Sequence, residues 1–219
     1  MILRSAVATG EDMLKPAEAA LVAHVAVGDV HRVIDEHILP DTLWSATDGR
    51  HVLASACGLI AFYFGSAGSL TAEWRRAAIR EAAGRLRRAG AAAPDAGDWI
   101  LRDDFLTIDL APFIRRADER MAQLAAARAL VVRDPEILGG APVIRGTRVP
   151  AYDVAASVAE GVPMAQLLSA YPSLNERQVR LAALYAEANP VRGRPRKAEP
   201  PAGAVVTGER RVPRRRAVG

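Results

Sequence analysis

Apolar positions recur at helical spacing early in the chain. Pro16 suits the first turn of a helix, where its missing N–H would have no partner anyway, and the pattern carries that helix to about His24. Gly28-Asp29 restarts a helix with Asp29 as its cap. Val30, Val33, Ile34 and Ile38 then return every three to four residues, through His37. Leu43-Trp44-Ser45 and His51-Val52-Leu53 flank Thr47-Asp48-Gly49-Arg50. An Asp-Gly pair between short apolar runs predicts a hairpin. Further on, Thr71 can cap a long helix with Glu73 in its first turn and Arg85, Arg87 and Arg88 in its last. Helix-end electrostatics alone accounts for those charges. The alternation in Phe105-Leu106-Thr107-Ile108-Asp109-Leu110 predicts a strand. Pro112 opens a helix through about Ala129, and three more helices are predicted at about 152–160, 163–170 and 174–188. Gly161 fits the end of the first of these, Pro163 the start of the second, and Ser173 with Glu176 a capping box for the third.

Composition supports a helical reading. About half the residues are apolar and many of these are Ala, while aromatics are 5 %. Cys57 is the single cysteine, so no internal disulfide is possible and a buried thiol in a reducing cytoplasm is expected. No secretory leader is evident, and the longest apolar run, Ala56 to Phe64, is too short to span a bilayer. Charge is uneven. From Pro190 onward nine Lys or Arg face two Glu, a net of +7, and since the whole chain carries +4 the rest carries −3. A Pro-, Gly- and Ala-rich basic tail of this kind is expected to be disordered until it meets a polyanion; a merely solubilising terminus is the plain alternative.

Two helices joined by a short turn and followed by a two-stranded wing resemble the winged helix-turn-helix module of MerR- and excisionase-type proteins. Arg32 on the second helix and Arg50 at the wing tip are its candidate DNA contacts. Asp29, Asp35 and Glu36 on the same helix would repel phosphate, so a protein-binding or purely structural helix pair stays open.

The sharpest pattern lies between Val132 and Tyr185. It contains Gly139-Gly140-Ala141-Pro142-Val143-Ile144-Arg145-Gly146-Thr147-Arg148. Gly139-Gly140 permits a tight turn. Pro142 and Pro150 hold the flanks extended. Val143-Ile144 and Val149 can pair around a bend at Gly146, with Arg145 and Arg148 projecting outward. Alternatively Thr147 and both arginines satisfy loop carbonyls or carboxylates such as Asp134. The run is similar to a small bacterial domain long without an assigned function, whose hallmark is Gly-Gly-x-Pro-x-Ile-x-Gly-Thr-Arg ahead of three helices. The resemblance implies the antitoxin half of VapBC-like toxin–antitoxin pairs, whose toxins are PIN-like ribonucleases. A helix-turn-helix followed by this domain resembles the longer VapB-type members.

In a trihelical, homeodomain-like unit the start of the last helix enters the major groove, which makes Asn175, Arg177, Gln178 and Arg180 candidate base readers; a solvated helix face is the alternative. Arg192-Gly193-Arg194-Pro195-Arg196-Lys197 resembles an AT-hook core, with Arg192, Arg194, Arg196 and Lys197 suited to a narrow minor groove. Farther along, Arg210, Arg211, Arg214, Arg215 and Arg216 could pair with the metal-holding carboxylates of a PIN-like nuclease, with Val205-Val206 as an anchor.

The expected architecture is mainly α with short β elements. It has a winged helix-turn-helix-like module at 13–68, a helical linker and dimerisation region at 69–129, an antitoxin-type trihelical domain at 130–189, and a disordered basic tail at 190–219. No catalytic constellation, P-loop, dinucleotide signature or cofactor motif is present. His24, His31, His37 and His51 lack zinc-pair spacing, so an enzyme or metal site is not expected. The expected function is a cytoplasmic, homodimeric antitoxin that neutralises a PIN-like ribonuclease and represses its own operon by binding double-stranded DNA. A protein-interaction antitoxin without specific DNA binding and a stand-alone transcriptional regulator are the alternatives.

Overall fold

A computed structural model describes residues 13–89, 99–103 and 106–191. The chain is mainly α with short β elements. In order these are β1 (Met13–Leu14), α1 (Pro16–Ala23), α2 (Val27–Asp35), β2 (Trp44–Ser45), β3 (His51–Leu53), α3 (Cys57–Gly65), α4 (Ala72–Ala89), β4 (Ile100–Arg102), β5 (Thr107–Asp109), α5 (Ala111–Leu130), β6 (Val131–Arg133), β7 (Pro142–Ile144), α6 (Ala151–Ala159), α7 (Met164–Ala170) and α8 (Glu176–Ala188).

The winged outline is present. Antiparallel β2 and β3 pair Trp44 with Val52 and Ser45 with His51, and Gly49 takes the positive φ of 81° the turn requires. β1 adds a third strand on the other edge of β3, through Met13 to Leu53 and Leu14 to Val52. α1 starts at Pro16 as expected and stops at Ala23, where His24 turns left-handed at φ 58°. The start of α2 corrects the sequence expectation: Asp29 is not the cap. Ala26 is, and the Asp29 carboxylate reaches back from the third helical position to accept the Ala26 N–H at 3.2 Å. An acid at that position satisfies an orphan amide as well as one at the cap does, so the helix begins about one turn earlier than expected.

α3 was not anticipated. The apolar run around Cys57 forms a helix with Cys57, Gly58, Leu59, Ile60, Phe62 and Tyr63 all buried. A helix apolar on nearly all sides belongs inside a core. α5 packs along it at very close range. A Cβ on Gly58 would lie 2.5 Å from Ile114 Cδ1 and 2.9 Å from its Cα, and one on Gly65 would lie 2.8 Å from Phe113 Cε1. The same approach sets Phe62 and Phe113 edge to face, with centroids 5.5 Å apart.

The expected strand around Ile108 is β5. Its partner β4, pairing Leu101 with Ile108, was not read from the sequence, and Phe105 lies outside the described residues. Trp99, Leu101, Leu110, Ala78, Ile79, Ala82, Ala117 and Leu124 join the same core as α1, α2 and α3. A second core lies under the C-terminal helices: Val131, Ile144, Ala151, Val154, Leu167, Leu174, Val179 and Ala182. α8 serves both, because Ala188 near its end belongs to the first core while Val179 and Ala182 belong to the second. Ala183 and Ala186, expected on the buried side, are only half-buried.

In the C-terminal unit β7 pairs mainly with β6, Val131 opposite Ile144 and Val132 opposite Val143. The expected turn at Gly146 also forms: Ile144 N–H donates to Val149 O at 2.9 Å, Thr147 N–H donates to Ile144 O at 3.0 Å, and Gly146 has φ 76°. The capping box of α8 is displaced by two residues from the expected Ser173–Glu176 pair. Asn175 Oδ1 accepts Gln178 N–H at 3.0 Å, and Gln178 Oε1 accepts Asn175 N–H at 2.9 Å. Leu174, buried at 7 % exposure, has to point into the core, which leaves Asn175 as the first residue able to cap. The tail from Arg192 onward, expected to be disordered, lies outside the described residues.

Candidate nucleic-acid interface

The α2 surface takes its charge from three elements. Arg32 Nε donates to Glu36 Oε1 at 2.8 Å, one helical turn away. The hydrogen bond and charge of Glu36 hold the Arg32 pKa above its ordinary value. Arg50 folds back from the wing onto Asp35, with Nη2 at 2.7 Å from Oδ1 and Nη1 at 3.1 Å from Oδ2; Nη1 also lies 3.2 Å from His31 Nδ1. Arg76 of α4 reaches the second oxygen of Glu36 at 3.5 Å. The two expected contacts, Arg32 and Arg50, are thus on one surface and both paired to acids of α2. Arg76 escaped sequence reading. An arginine within a helix has no local signature, and only the tertiary placement of α4, which packs on α3, brings it to Glu36.

At the start of α8 the four candidate readers divide. Asn175 and Gln178 use their side-chain oxygens on each other's backbone. Arg180 Nη2 is held by Glu176 at 2.6 Å. Arg177 is exposed and has no side-chain hydrogen bond or ion pair among the described residues.

The glycine-rich motif is largely occupied with its own backbone. Leu138, Gly139 and Gly140 take successive positive φ values of 49°, 64° and 84°. Pro142 is buried beside the β6 partner Arg133. Arg145 does not simply project outward as one reading expected. Its Nε donates to Ala129 O at 3.0 Å and its N–H to Leu130 O at 2.8 Å, so it satisfies carbonyls at the end of α5. Thr147 Oγ1 donates to Ile144 O at 2.8 Å and accepts Val149 N–H at 3.1 Å, locking the Gly146 turn. Asp134 accepts the Glu136 N–H at 2.9 Å rather than an arginine. Arg148 alone of the motif's polar side chains is exposed without such a partner among the described residues.

Near the chain's exit from α8, Tyr152 Oη donates to Asn189 O at 2.7 Å. Burial pushes the Tyr152 phenol pKa up, Tyr185 adds to that, and Arg133 opposes it. The expected minor-groove residues Arg192, Arg194, Arg196 and Lys197 and the expected toxin-binding residues Arg210, Arg211, Arg214, Arg215 and Arg216 all lie outside the described residues.

Two adjoining grooves of about 470 and 360 Å³ meet at the α1–α2 turn, where both are lined by His24, Val25 and Arg120. Of the candidate residues among those described, Arg32, Arg50, Asn175, Arg177, Gln178 and Arg180, none lines either groove. Among the described residues no His, Cys, Asp and Glu side chains gather in a group able to hold a metal ion, and no helix is long and apolar enough to cross a membrane.

Comparison with known proteins adds three findings. Residues 131–186 match DUF433, a family described as proteins of unknown function; this is the segment the Gly-Gly motif marks. The uncharacterized protein y4eO of Sinorhizobium fredii (strain NBRC 101917 / NGR234) is 57 % identical over 212 residues, covering 95 % of this chain and 96 % of that protein. The X-ray crystal structure of Rv2018 from Mycobacterium tuberculosis covers 77 % of this chain and 95 % of its own at 16 % identity, with a TM-score of 0.32, too low to carry an argument.

Proposed function

We propose that this chain, which belongs to the same family as the uncharacterized protein y4eO and carries a DUF433 domain over residues 131–186, is the antitoxin of a type II toxin–antitoxin pair. On this reading it is a VapB-type protein that binds a PIN-like ribonuclease and represses its own operon. The observation that carries the proposal is the joining, in one chain, of a winged helix-turn-helix with the Gly-Gly-x-Pro-x-Ile-x-Gly-Thr-Arg domain.

Each part has a physical task. The N-terminal module approaches duplex DNA, and a homodimer would present two such modules to paired half-sites. The basic tail adds charge that either DNA or the toxin can use. A PIN-like nuclease gathers carboxylates around a divalent metal, and the distal arginines would pair with those carboxylates and block metal or RNA. The chain itself performs no chemistry, and the compartment is the cytoplasm.

A second reading is favoured by one observation. Arg32, Arg50 and Arg180 are ion-paired, and Asn175 and Gln178 are spent on a helix cap. This suits an antitoxin that meets its toxin through protein surfaces and reads no base.

One pair of measurements separates them. A mobility shift on the DNA upstream of the reading frame, with the full chain and with a chain ending at Asn189, is expected to show binding that weakens on truncation. Absence of any shift removes the repressor. Equal shifts remove the AT-hook. Co-purification with the product of the neighbouring reading frame is expected to yield a stable complex if that frame encodes a PIN-like protein. Failure to form one removes the antitoxin reading.

A further inference from the structure

Three arginines from three separate elements converge on two neighbouring carboxylates. Arg32 comes from α2, Arg50 from the wing and Arg76 from α4; Asp35 and Glu36 close the end of α2. Three arginines face the two acids they pair with, Asp29 also acts on Arg32, and His31 stands beside Arg50. All five side chains stay 40–55 % exposed, so a ligand can reach them without any unfolding. A guanidinium meets carboxylate and phosphate oxygens with the same fork of N–H donors. Exposed ion pairs are weak and exchange readily. The arrangement therefore looks outward, already shaped for an anionic ligand and filled by the chain's own acids. The start of α8 shows no such convergence: Arg180 pairs with Glu176 of its own helix, Arg177 is exposed beside it, and no arginine from another element joins them among the described residues.

We propose that Asp35 and Glu36 are internal stand-ins for DNA phosphates. The surface shared by α2, the wing and α4 is then the phosphate-binding face, Arg76 is part of it, and the two acids lower its affinity in the free chain. This rests on the operator-binding reading above and assigns that binding to the N-terminal module. When a duplex docks, phosphate oxygens replace the carboxylates on Arg32, Arg50 and Arg76. The acids then act as a threshold. A duplex that places phosphates at all three arginines displaces them, and one that reaches a single arginine does not.

The test is fluorescence anisotropy of the full chain at several KCl concentrations. The probes are a labelled duplex from upstream of its reading frame and a scrambled duplex of equal length. The Asp35→Asn/Glu36→Gln variant is expected to bind roughly fivefold tighter than the parent, because neutralising both acids frees the arginines for phosphate. Arg50→Gln and Arg76→Gln are each expected to weaken binding to both duplexes alike and to lower the salt slope by about 1. Lost structure is expected to weaken binding to the upstream duplex relative to the scrambled one, so a gain of affinity for the upstream duplex in the double variant keeps the test falsifiable where an arginine variant fails to fold. If the parent binds and the double variant binds no tighter, or if the salt slope of the Arg50 and Arg76 variants equals the parent's, this inference is overturned while operator binding stands. If neither parent nor double variant binds either duplex, operator binding itself fails and the inference falls with it.

Discussion

Glu18 is the one charged side chain among the described buried residues, and it does two jobs. It accepts the Lys15 N–H at 3.0 Å at the start of α1, and it pairs with Arg128 near the end of α5 at 2.9 Å. Removing it orphans an amide and leaves a guanidinium, itself 35 % exposed, facing the core edge. Glu18→Ala is therefore expected to cost about 2 kcal/mol in a urea denaturation, less than a fully enclosed pair would because water still reaches the arginine. Cys57 is a simpler case. It is fully buried in α3, and desolvation pushes its thiol pKa up to about 12. Only a trace is thiolate at about pH 8. Iodoacetamide should leave the folded protein unmodified and label one site per chain in urea, with mass spectrometry as the readout. The motif residues fall on the same side. Arg145 and Thr147 bind nearby carbonyls, which is the alternative that the sequence left open for them, and Arg148 is left facing solvent.

Elements with a clear period were legible, and those without one were not. α2 shows its apolar stripe, the hairpin its Asp-Gly, and α8 the polar residues of a capped start. α3 has no polar face, so nothing periodic marks it as a helix. β4 is three residues long and known only through its partner. The two misplaced caps differ in cause: at α2 Asp29 serves from the third helical position with Ala26 as the cap, and at α8 burial of Leu174 moves the cap from Ser173 to Asn175. The α3–α5 contact, equally invisible in sequence, makes a test with opposite signs. Gly58→Ala puts a methyl against Ile114 backbone and should lower stability by about 2 kcal/mol, the clash outweighing alanine's better helix propensity. Gly28→Ala, on exposed α2 with nothing within 4 Å, should raise it by about 0.5 kcal/mol. Thermal melts followed by circular dichroism measure both.

Over the whole molecule, the candidate interface was half legible. Charge asymmetry and the glycine motif stand in the sequence. The convergence of Arg76 with Arg32 and Arg50 does not, since it depends on where α4 is carried by its packing on α3. Nor does the way the two cores are joined. α5 lies against α1, α3 and α8, and α8 lies against α1, α5 and α6, so the C-terminal helix is also part of the floor under the N-terminal module. Trp44 lies in the N-terminal module and packs against the first core, and Trp99 is buried in that core, so both report on it optically. Ala188 is 1 % exposed. Ala188→Asp buries an unpaired charge and should cost about 3 kcal/mol, visible as a lower urea midpoint in tryptophan fluorescence although every tryptophan is far away in sequence.

This shared helix has a consequence for the chain's lifetime. A protease that nibbles inward from the C-terminus and passes Asn189 meets Ala188 first, and with it a piece of the packing beneath α1. Trimming past Ala188 would then loosen the module carrying the wing and open it to internal cleavage by an endoprotease before α8 itself had been consumed.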